Sequence, residues 1–345
     1  MSAGSSRLQL RREQFTAELL DPRHGFERIR LPLEIRWDPL TGQSCRLLPE
    51  GSLQSPELQD LEALAEQSRP SCPFCADRIE SETPRFTPEV LTEGRIRCGE
   101  AVLFPNLVSY SKWSSVSVYS PQRHLLRLDE LTPALLADNL RSQVMFGLAV
   151  LQHDPSSQWV SVNANQLPPS GSSIFHPHLQ GSANPVPTTV QHLLAERGPE
   201  GLRDYLELER QDGERLIGST GRVEWLAAFA PVGPAEIRAF VAGASSPEEL
   251  DEATLAELAD GLSRALRLYA SLGFQSFNFA LSGAPARAPH SLLLLRLVGR
   301  AYFGPLLRSD AMWSERLHWE AATDLAPEKV ADCGRELFAH ASSET

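Results

Sequence analysis

The chain has 345 residues, of which 22% are charged and 42% are hydrophobic, and this globular composition excludes collagen, coiled coils and wholesale disorder. Its 44 acidic and 32 basic residues give a formal charge of -12, so we expect no nucleic-acid partner. The sequence has neither an apolar run long enough to span a membrane nor a secretory signal, and we therefore expect a cytoplasmic protein without membrane association.

The first half of the chain predicts a hairpin, a cysteine pair and a sheet with one long helix. Residues 1–30 form a polar segment, and residues 31–49 then read as two strands joined by a turn through Asp38-Pro39. A short amphipathic helix from Ser55 leads to Cys72. The remaining predictions are strands at 100–108 and 114–120, a helix from Thr132-Pro133 to about 152, and strands at 158–163 and 173–182.

The second half repeats this order of elements. After two helices at about 188–196 and 199–216, the predictions are strands at 223–230 and 235–242, a helix over 246–272, strands at 275–282 and 290–299, and a helix from Pro327. Both halves therefore contain strand, strand, helix, strand, strand. We interpret this as a structural duplication.

The five cysteines are an odd number in a chain without an export signal, which argues against a disulfide framework. Cys45, Cys98 and Cys333 stand alone and are expected to be small buried side chains. Cys72 and Cys75 form Cys-Pro-Phe-Cys, whose spacing suits either two zinc ligands on one knuckle or a redox pair. A zinc site needs two further ligands.

The segment that carries most chemistry is GSSIFHPHLQ at residues 171–180. Alternation along a strand would place His176, His178 and Gln180 on one face. The Gly-Ser-Ser before them can offer backbone amides and a hydroxyl group to an anion. Two imidazoles and a carboxamide would then converge on a space the size of a phosphate group.

This segment resembles the active-site strand of the galactose-1-phosphate uridylyltransferases, the branch of the histidine-triad superfamily that has Gln where the hydrolases have a third His. Further segments resemble the family from about residue 35 to residue 330. They are RWDPLTGQ, RPSCPFC, LFPNLVSYS, SPQRH, NQLPPSGSS, FAPVGPAEIRAFV and SFNFAL.

The resemblance implies an α+β fold of two histidine-triad-like domains, each an antiparallel sheet with packed helices. We place the catalytic domain with its zinc knuckle at residues 31–218 and the second domain at residues 219–345. It also implies roles for single residues. His178 would be the nucleophile that attacks the α-phosphorus of a nucleotide sugar, and Gln180 would donate to the phosphoryl oxygens, which favours transfer over hydrolysis.

The remaining substrate and metal ligands follow from the same resemblance. Ser173 matches a phosphate-binding serine, Asn106 and Asn165 match asparagines near ribose and phosphate, and Arg36 could neutralise a diphosphate. His124 and His176 occupy the two histidine-ligand positions. The resemblance therefore implies one zinc ion bound by Cys72, Cys75, His124 and His176, which positions the nucleophile.

The chain departs from the family in its second half. The family's His-x-His strand, which contributes to another metal site, corresponds to residues 292–300, and these contain no histidine. We therefore expect no second metal. The Lys and Tyr that hold a hexose phosphate fall at Ser314 and Trp319. Arg308, Arg316 and Trp319 could form a different pocket for an anion and a ring, or they could be structural.

Three functions remain open on the sequence. The first is a ping-pong transferase that moves UMP from a nucleotide sugar to a sugar 1-phosphate. The second keeps the covalent intermediate but uses inorganic phosphate as acceptor, as in phosphorylases of dinucleoside polyphosphates or ADP-sugars. The third is a zinc-stabilised binding protein without turnover. The resemblance also implies a homodimer.

Overall fold

The protein is described by a computed structural model that covers residues 8–53, 58–285, 292–300 and 313–339. Within these ranges, fourteen strands form one sheet of four strands and one of ten, and helices pack on the larger sheet. The predicted α+β class is confirmed. No helix in these ranges is both long and apolar enough to cross a membrane.

The larger sheet is antiparallel at every junction. In spatial order its strands are β4 (Ile96–Cys98), β5 (Ala101–Pro105), β6 (Trp113–Val118), β8 (His178–Asn184), β7 (Trp159–Gln166), β12 (Ser276–Ser282), β13 (Leu293–Arg300), β11 (Ile237–Val241), β10 (Val223–Ala227) and β9 (Leu216–Thr220).

Each half of this sheet contains the repeated unit predicted from the sequence. The first unit is β5, β6, helix α3 (Pro133–His153), β7 and β8, and the second is β10, β11, helix α5 (Glu252–Ser271), β12 and β13. The units meet where β7 pairs with β12, so their strands form one continuous sheet. The domain boundary at residue 218 stays a prediction, and it falls within β9.

Helices α3 and α5 bury their apolar faces against one side of the large sheet. Thr132 caps α3 by accepting a hydrogen bond from the amide of Leu135, and Asp251 caps α5 in the same way at Thr254. Helix α7 (Pro327–Ala339) joins the same core. This core includes Leu136, Leu140, Leu258, Leu262, Leu179 and Phe279. The strand residues that alternate with this core point to the other side, which we call the open face.

Helix α4 (Thr189–Asp212) covers the open face over the second half of the sheet. Its residues Leu194, Leu202 and Leu206 pack with Phe240 and Leu294. Gly198 has a φ of 68° and interrupts the helical backbone. This position falls between the two helices that the sequence predicts. Over the first half, the open face remains available for a site.

The smaller sheet has the order β1 (Arg12–Asp21), β2 (Glu27–Trp37), β3 (Ser44–Leu47) and β14 (Glu320–Thr323). The predicted hairpin is confirmed as β2 and β3. The sequence predicts no strand within the polar residues 1–30, whereas the structure has β1 there and begins β2 at Glu27. Apolar residues do alternate with polar ones there, since Phe15 and Leu19 lie on the side of the hairpin that also carries Leu33 and Ile29. The many charged residues of this segment make the alternating pattern hard to recognise in the sequence.

Candidate functional site: a metal centre beside a histidine

A short knuckle holds the two neighbouring cysteines against the open face. Helix α1 (Leu61–Ser68) ends in a 3-10 turn (Arg69–Ser71), and a turn at Cys72–Cys75 follows and leads to helix α2 (Ile79–Glu82). Phe74, between the cysteines, packs with Phe104 of β5 and Val116 of β6. The predicted start of α1 at Ser55 lies outside the described residues, and the helix begins at Leu61 with Asp60 as its cap.

Four metal-ligating side chains meet at this knuckle, and all four are buried. The ligand atoms of Cys72, Cys75, His124 and His176 lie within 4.8 Å of one another. The Cys75 sulfur is 3.3 Å from Nδ1 of His124, and Nδ1 of His176 is 3.6 Å from the Cys72 sulfur and 3.8 Å from the Cys75 sulfur. Tetrahedral coordination at usual bond lengths would separate sulfur and nitrogen ligands by about 3.6 Å.

The outer nitrogens of both histidines have hydrogen-bond partners that define the tautomers. Nε2 of His176 lies 2.9 Å from the backbone carbonyl of Ser120, which can only accept, so Nε2 carries the proton. Nε2 of His124 lies 2.9 Å from the hydroxyl group of Ser68, and that hydroxyl donates its own hydrogen to the carbonyl of Leu64. Both Nδ1 lone pairs therefore point at the cysteines, as metal ligands require.

Burial sets the protonation of the groups. It raises the pKa of the Cys72 thiol to about 11 and lowers the pKa of His176 to about 4. Burial also lowers the pKa of His124, and the nearby Arg69 and Arg78 lower it further. Two imidazoles and two buried cysteine sulfurs are the donor set of a tetrahedral metal ion, whose charge would favour thiolates. These four residues could hold one metal ion.

His178 is presented by the same structure as a neutral imidazole with one nitrogen free. Its Nδ1–H donates to the carbonyl of His176 at 2.8 Å, so Nε2 keeps its lone pair. The ring is buried, and burial lowers its pKa. Phe74 meets it edge to face, with ring centroids 5.4 Å apart. The knuckle therefore backs His178 as well as holding the metal ligands.

The predicted strand over 173–182 is confirmed only from His178 onwards, so His176 lies before the strand and not in it. Strand β8 begins at His178, and residues 171–177 form turns and bends before it. Pro177 separates the two histidines and has no amide hydrogen for a strand ladder. His176 contacts the cysteines of the knuckle, and His178 and Gln180 alternate onto the open face that the knuckle packs against.

Polar residues of three strands surround His178 on the open face. Gln180 of β8 lies opposite Asn163 of β7. Asn165, two residues further along β7, therefore lies beside His178 on the same face. Asn165 is also paired with Asn278 of β12. A row of amides thus runs from β8 across β7 into the second half of the chain.

The other predicted substrate residues lie at different places. Asn106 directly follows β5. Its backbone N–H donates to the backbone carbonyl of Ser114. Ser173 is exposed in the bends before β8. Arg36 is not brought to this face: it is buried in β2, where its guanidinium donates to the carboxylates of Glu34 and Glu328.

The structure does not bring together Arg316 and Trp319, which the sequence suggests as parts of one acceptor pocket. Arg316, in helix α6 (Trp313–His318), lines a cleft with Asn165 and Asn278. Trp319 is exposed and does not line that cleft. Arg308 lies outside the described residues.

Sequence reasoning missed three residues that support the site: Phe74, Ser68 and Asn278. Phe74 stands inside the cysteine motif, so its position could have drawn attention to it. Ser68 lies 56 residues from His124, and Asn278 lies 113 residues from Asn165, so only the folded chain shows that they meet.

Comparisons with known proteins agree with the fold. No family model matches the chain. A protein of Archaeoglobus fulgidus described as uncharacterised is 31% identical over 320 residues, which cover 89% of this chain and 92% of that protein. An ADP-glucose phosphorylase from Arabidopsis thaliana, solved with bound ADP-glucose, has a TM-score of 0.67 at 20% identity and covers 88% of this chain and 99% of its own.

Two further solved structures are similar. A GalT-like protein from Arabidopsis thaliana has a TM-score of 0.65 at 21% identity, with 88% of this chain and 98% of that chain covered. A uridylyltransferase has a TM-score of 0.58 at 19% identity, with 89% and 99% covered. The resemblance inferred from the sequence motifs is thus confirmed at the level of the fold.

Proposed function

Since the chain belongs to the same family as the Archaeoglobus fulgidus protein and has the fold of the galactose-1-phosphate uridylyltransferases, we propose that it is a nucleotidyltransferase of the histidine-triad superfamily. In this proposal it moves a nucleoside monophosphate, UMP, from a nucleotide sugar to a sugar 1-phosphate. The observation that carries the proposal is the hydrogen bond from Nδ1 of His178 to the carbonyl of His176, which leaves Nε2 free to attack.

The proposed first step is attack of Nε2 of His178 on the α-phosphorus of the donor. The N–P bond forms while the bond from that phosphorus to the bridging oxygen breaks, and the sugar 1-phosphate leaves. No proton has to move, because Nδ1 keeps its hydrogen, and the His176 carbonyl stabilises the positive charge that develops on the ring. In the second step a phosphate oxygen of the acceptor attacks the same phosphorus and the N–P bond breaks.

Neutral donors around His178 suit this chemistry. Gln180 lies on the same face and could donate to the phosphoryl oxygens, yet it has no acidic proton with which to activate water. Asn165, Asn106 and Ser173 are proposed as further donors. Preorganised donors of this kind can each lower a barrier by roughly 3 to 4 kcal/mol. For Arg36 a substrate role is less favoured, because its charge is already balanced by Glu34 and Glu328.

Zinc is the metal that we propose for the Cys72, Cys75, His124 and His176 site. A bound zinc ion would have four protein ligands and no open position, so its contribution would be structural. The site joins the knuckle to the bends before β8. It would therefore hold Phe74 against His178 and keep the His176 carbonyl in place as the acceptor for Nδ1.

A second candidate is a phosphorylase that keeps the covalent step and uses inorganic phosphate as acceptor. It is favoured by the cleft beside Asn165, which is lined by two arginines, Arg300 and Arg316, and one carboxylate, Glu315. The fold of the ADP-glucose phosphorylase is consistent with the same choice. The two candidates differ only in what attacks the nucleotidyl-histidine.

The proposal includes a homodimer formed through the β1–β2 hairpin. One side of this hairpin is a stripe of apolar residues, among them Phe15, Leu19, Leu31 and Leu33, and Phe15 is 48% exposed. A two-stranded ribbon is marginal in water unless its apolar side is covered. A second copy would present the same stripe about a two-fold axis. Sedimentation should find a dimer for the wild type and a monomer for Phe15→Asp, and a wild-type monomer would contradict this part.

The function is tested by a chase experiment. UDP-glucose and ADP-glucose, each labelled in the nucleoside, are incubated with the protein, and the label bound to protein is then chased with glucose 1-phosphate or inorganic phosphate. We expect one of the donors to label the protein and one acceptor to remove the label as a new nucleotide product. Label that never becomes attached, or that leaves only as free monophosphate with either acceptor, would contradict a transferase.

A further inference from the structure

The segment between β7 and β8 begins with a buried leucine in an unusual backbone conformation. Leu167 has a φ of 66° and a ψ of 166°, a region that is essentially restricted to glycine. Its side chain is 2% exposed, so this position is packed and not part of a loose surface turn. Such a conformation persists only where the surrounding structure enforces it, and it is most frequent at functional sites.

The side chain of Leu167 anchors this segment to helix α1. Leu167 and Phe175 belong to one buried apolar cluster with Leu61 and Ala65 of α1. The loop that starts at Leu167 and ends at Phe175 is therefore closed by a single cluster. Phe175 also stacks on the ring of the metal ligand His124, with ring centroids 5.7 Å apart and an angle of 21° between the ring planes. The cluster thus joins the loop to the helix that precedes the cysteine knuckle.

The backbone carbonyl of Leu167 organises the loop from within. It accepts hydrogen bonds from the hydroxyl group of Ser170 at 2.8 Å, from the amide of Ser170 at 3.2 Å and from the amide of Ser172 at 3.4 Å. The amide of Gly171 donates to the carbonyl of Pro168 at 2.9 Å. Because ψ of Leu167 sets the direction of its carbonyl, the strained conformation and the hydrogen bonds of the loop depend on each other.

These internal bonds leave Ser173 as the residue of the Gly-Ser-Ser sequence that can serve a ligand. The amides of Gly171 and Ser172 are already used, and the hydroxyl group of Ser172 donates to the carbonyl of Ile174 at 2.6 Å. Ser173 is exposed, and within the part of the chain that the structure describes neither its amide nor its hydroxyl group has a hydrogen-bond partner. Both donors are therefore available to an anion.

We propose that Leu167 is a positioning residue, which fixes the loop so that the amide and hydroxyl group of Ser173 are in place before the α-phosphate of the nucleotide substrate binds. The inference rests on the proposed function for the identity of that ligand. A glycine would adopt the same backbone without strain, but it could not enter the apolar cluster. The leucine therefore anchors the loop although its backbone is strained, and the anchored loop loses less conformational freedom on binding.

Three substitutions at residue 167 separate the anchor from the backbone. Leu167→Met keeps an apolar side chain of similar volume together with the strain, so it should behave as the wild type does. Leu167→Ala removes most of the anchor and keeps the strain, whereas Leu167→Gly removes both. Leu167→Gly should therefore unfold roughly 2 °C or more above Leu167→Ala. Leu64→Ala and Leu64→Gly are the matched controls, because Leu64 packs against the same cluster from within a helix, where the order should be reversed.

Two measurements on the full chain then test positioning. The first is amide hydrogen exchange over residues 168–174, which should be at least about tenfold faster in Leu167→Ala and Leu167→Gly than in the wild type and Leu167→Met. The second is the rate at which labelled UDP-glucose or ADP-glucose, at saturation, attaches nucleotide to the protein. We expect this rate to fall at least about tenfold in both Leu167→Ala and Leu167→Gly, although Leu167→Gly is the more stable of the two.

Activity that follows stability would show a merely structural role. Attachment by Leu167→Gly at the wild-type rate, or unchanged hydrogen exchange in Leu167→Ala and Leu167→Gly, would overturn the inference. A higher unfolding temperature for Leu167→Ala than for Leu167→Gly would also overturn it, because the backbone would then carry no strain. If Leu167→Ala does not fold, Leu167→Gly alone decides exchange and attachment. If the wild type attaches no nucleotide, the proposed function fails, and hydrogen exchange still decides whether Leu167 fixes the loop.

Discussion

Ser68→Ala should weaken zinc binding although Ser68 is not itself a ligand. The Ser68 hydroxyl accepts from Nε2–H of the buried His124 at 2.9 Å and donates to the carbonyl of Leu64. Alanine would leave that N–H without an acceptor and the ring free to change tautomer. Loss of such an outer partner typically costs 10–100-fold in metal affinity, or about 1.4 to 2.7 kcal/mol.

The assay is competition for zinc with a chelator of known affinity, followed on purified wild type, Ser68→Ala and a control. Ser71→Ala is the control, because Ser71 lies in the adjoining 3-10 turn and is exposed, and its hydroxyl donates to the backbone carbonyl of Ser68 rather than to a metal ligand. His176 offers no equivalent test, since its outer partner is a backbone carbonyl. A change of less than about twofold in Ser68→Ala, or an equal change in Ser71→Ala, would refute the tautomer argument.

Three further predictions concern Cys75, Gln180 and Glu248. Cys75→Ser should lower zinc content to less than about a tenth of an ion per chain and lower the unfolding temperature, because the ion joins the knuckle to the segment before β8; a variant that keeps both values would contradict the site. Gln180→His should raise the ratio of free monophosphate to transferred nucleotide, because an imidazole at that position can assist water, and an unchanged ratio would remove the role given to Gln180. Glu248 is buried, and one of its carboxyl oxygens has no hydrogen-bond partner within the described residues. Burial raises the pKa of this carboxyl group, so the folded state binds its proton more tightly than the unfolded chain does. In urea titrations, the free energy of unfolding of the wild type should therefore rise relative to that of Glu248→Gln as pH falls from about 8 to about 5. The same pH dependence in both proteins would show that burial does not destabilise the ionised carboxylate.

Much of the large sheet could be predicted because its signals are local. The helix that became α3 was predicted from the Thr-Pro start and the helical spacing of its leucines, and both are consequences of contacts within a few residues. The break at Gly198 was predicted for the same reason. The four metal-ligand residues were identified by motif resemblance, and the structure brings them together.

The sequence could not show contacts between residues that are distant along the chain. The resemblance suggests that Arg36 neutralises a diphosphate, but it could not show that Glu328, which lies 292 residues away, accepts a hydrogen bond from it. Alternation alone predicts His176 within the strand, whereas the strand begins at His178 and His176 contacts Cys72, which lies 104 residues away in sequence. Asn278 lies in the segment SFNFAL, but the sequence does not show its bonds, because Asn165 and Ser170 are more than 100 residues away from it along the chain.

The measurement that tests the central claim most directly is the mass of the intact protein after incubation with nucleotide sugars, followed by peptide mapping. The account predicts one added nucleoside monophosphate on His178, lost at low pH and stable in base, and absent from His178→Gly, which should retain its fold. An adduct on another residue, or full turnover in His178→Gly, would contradict the account.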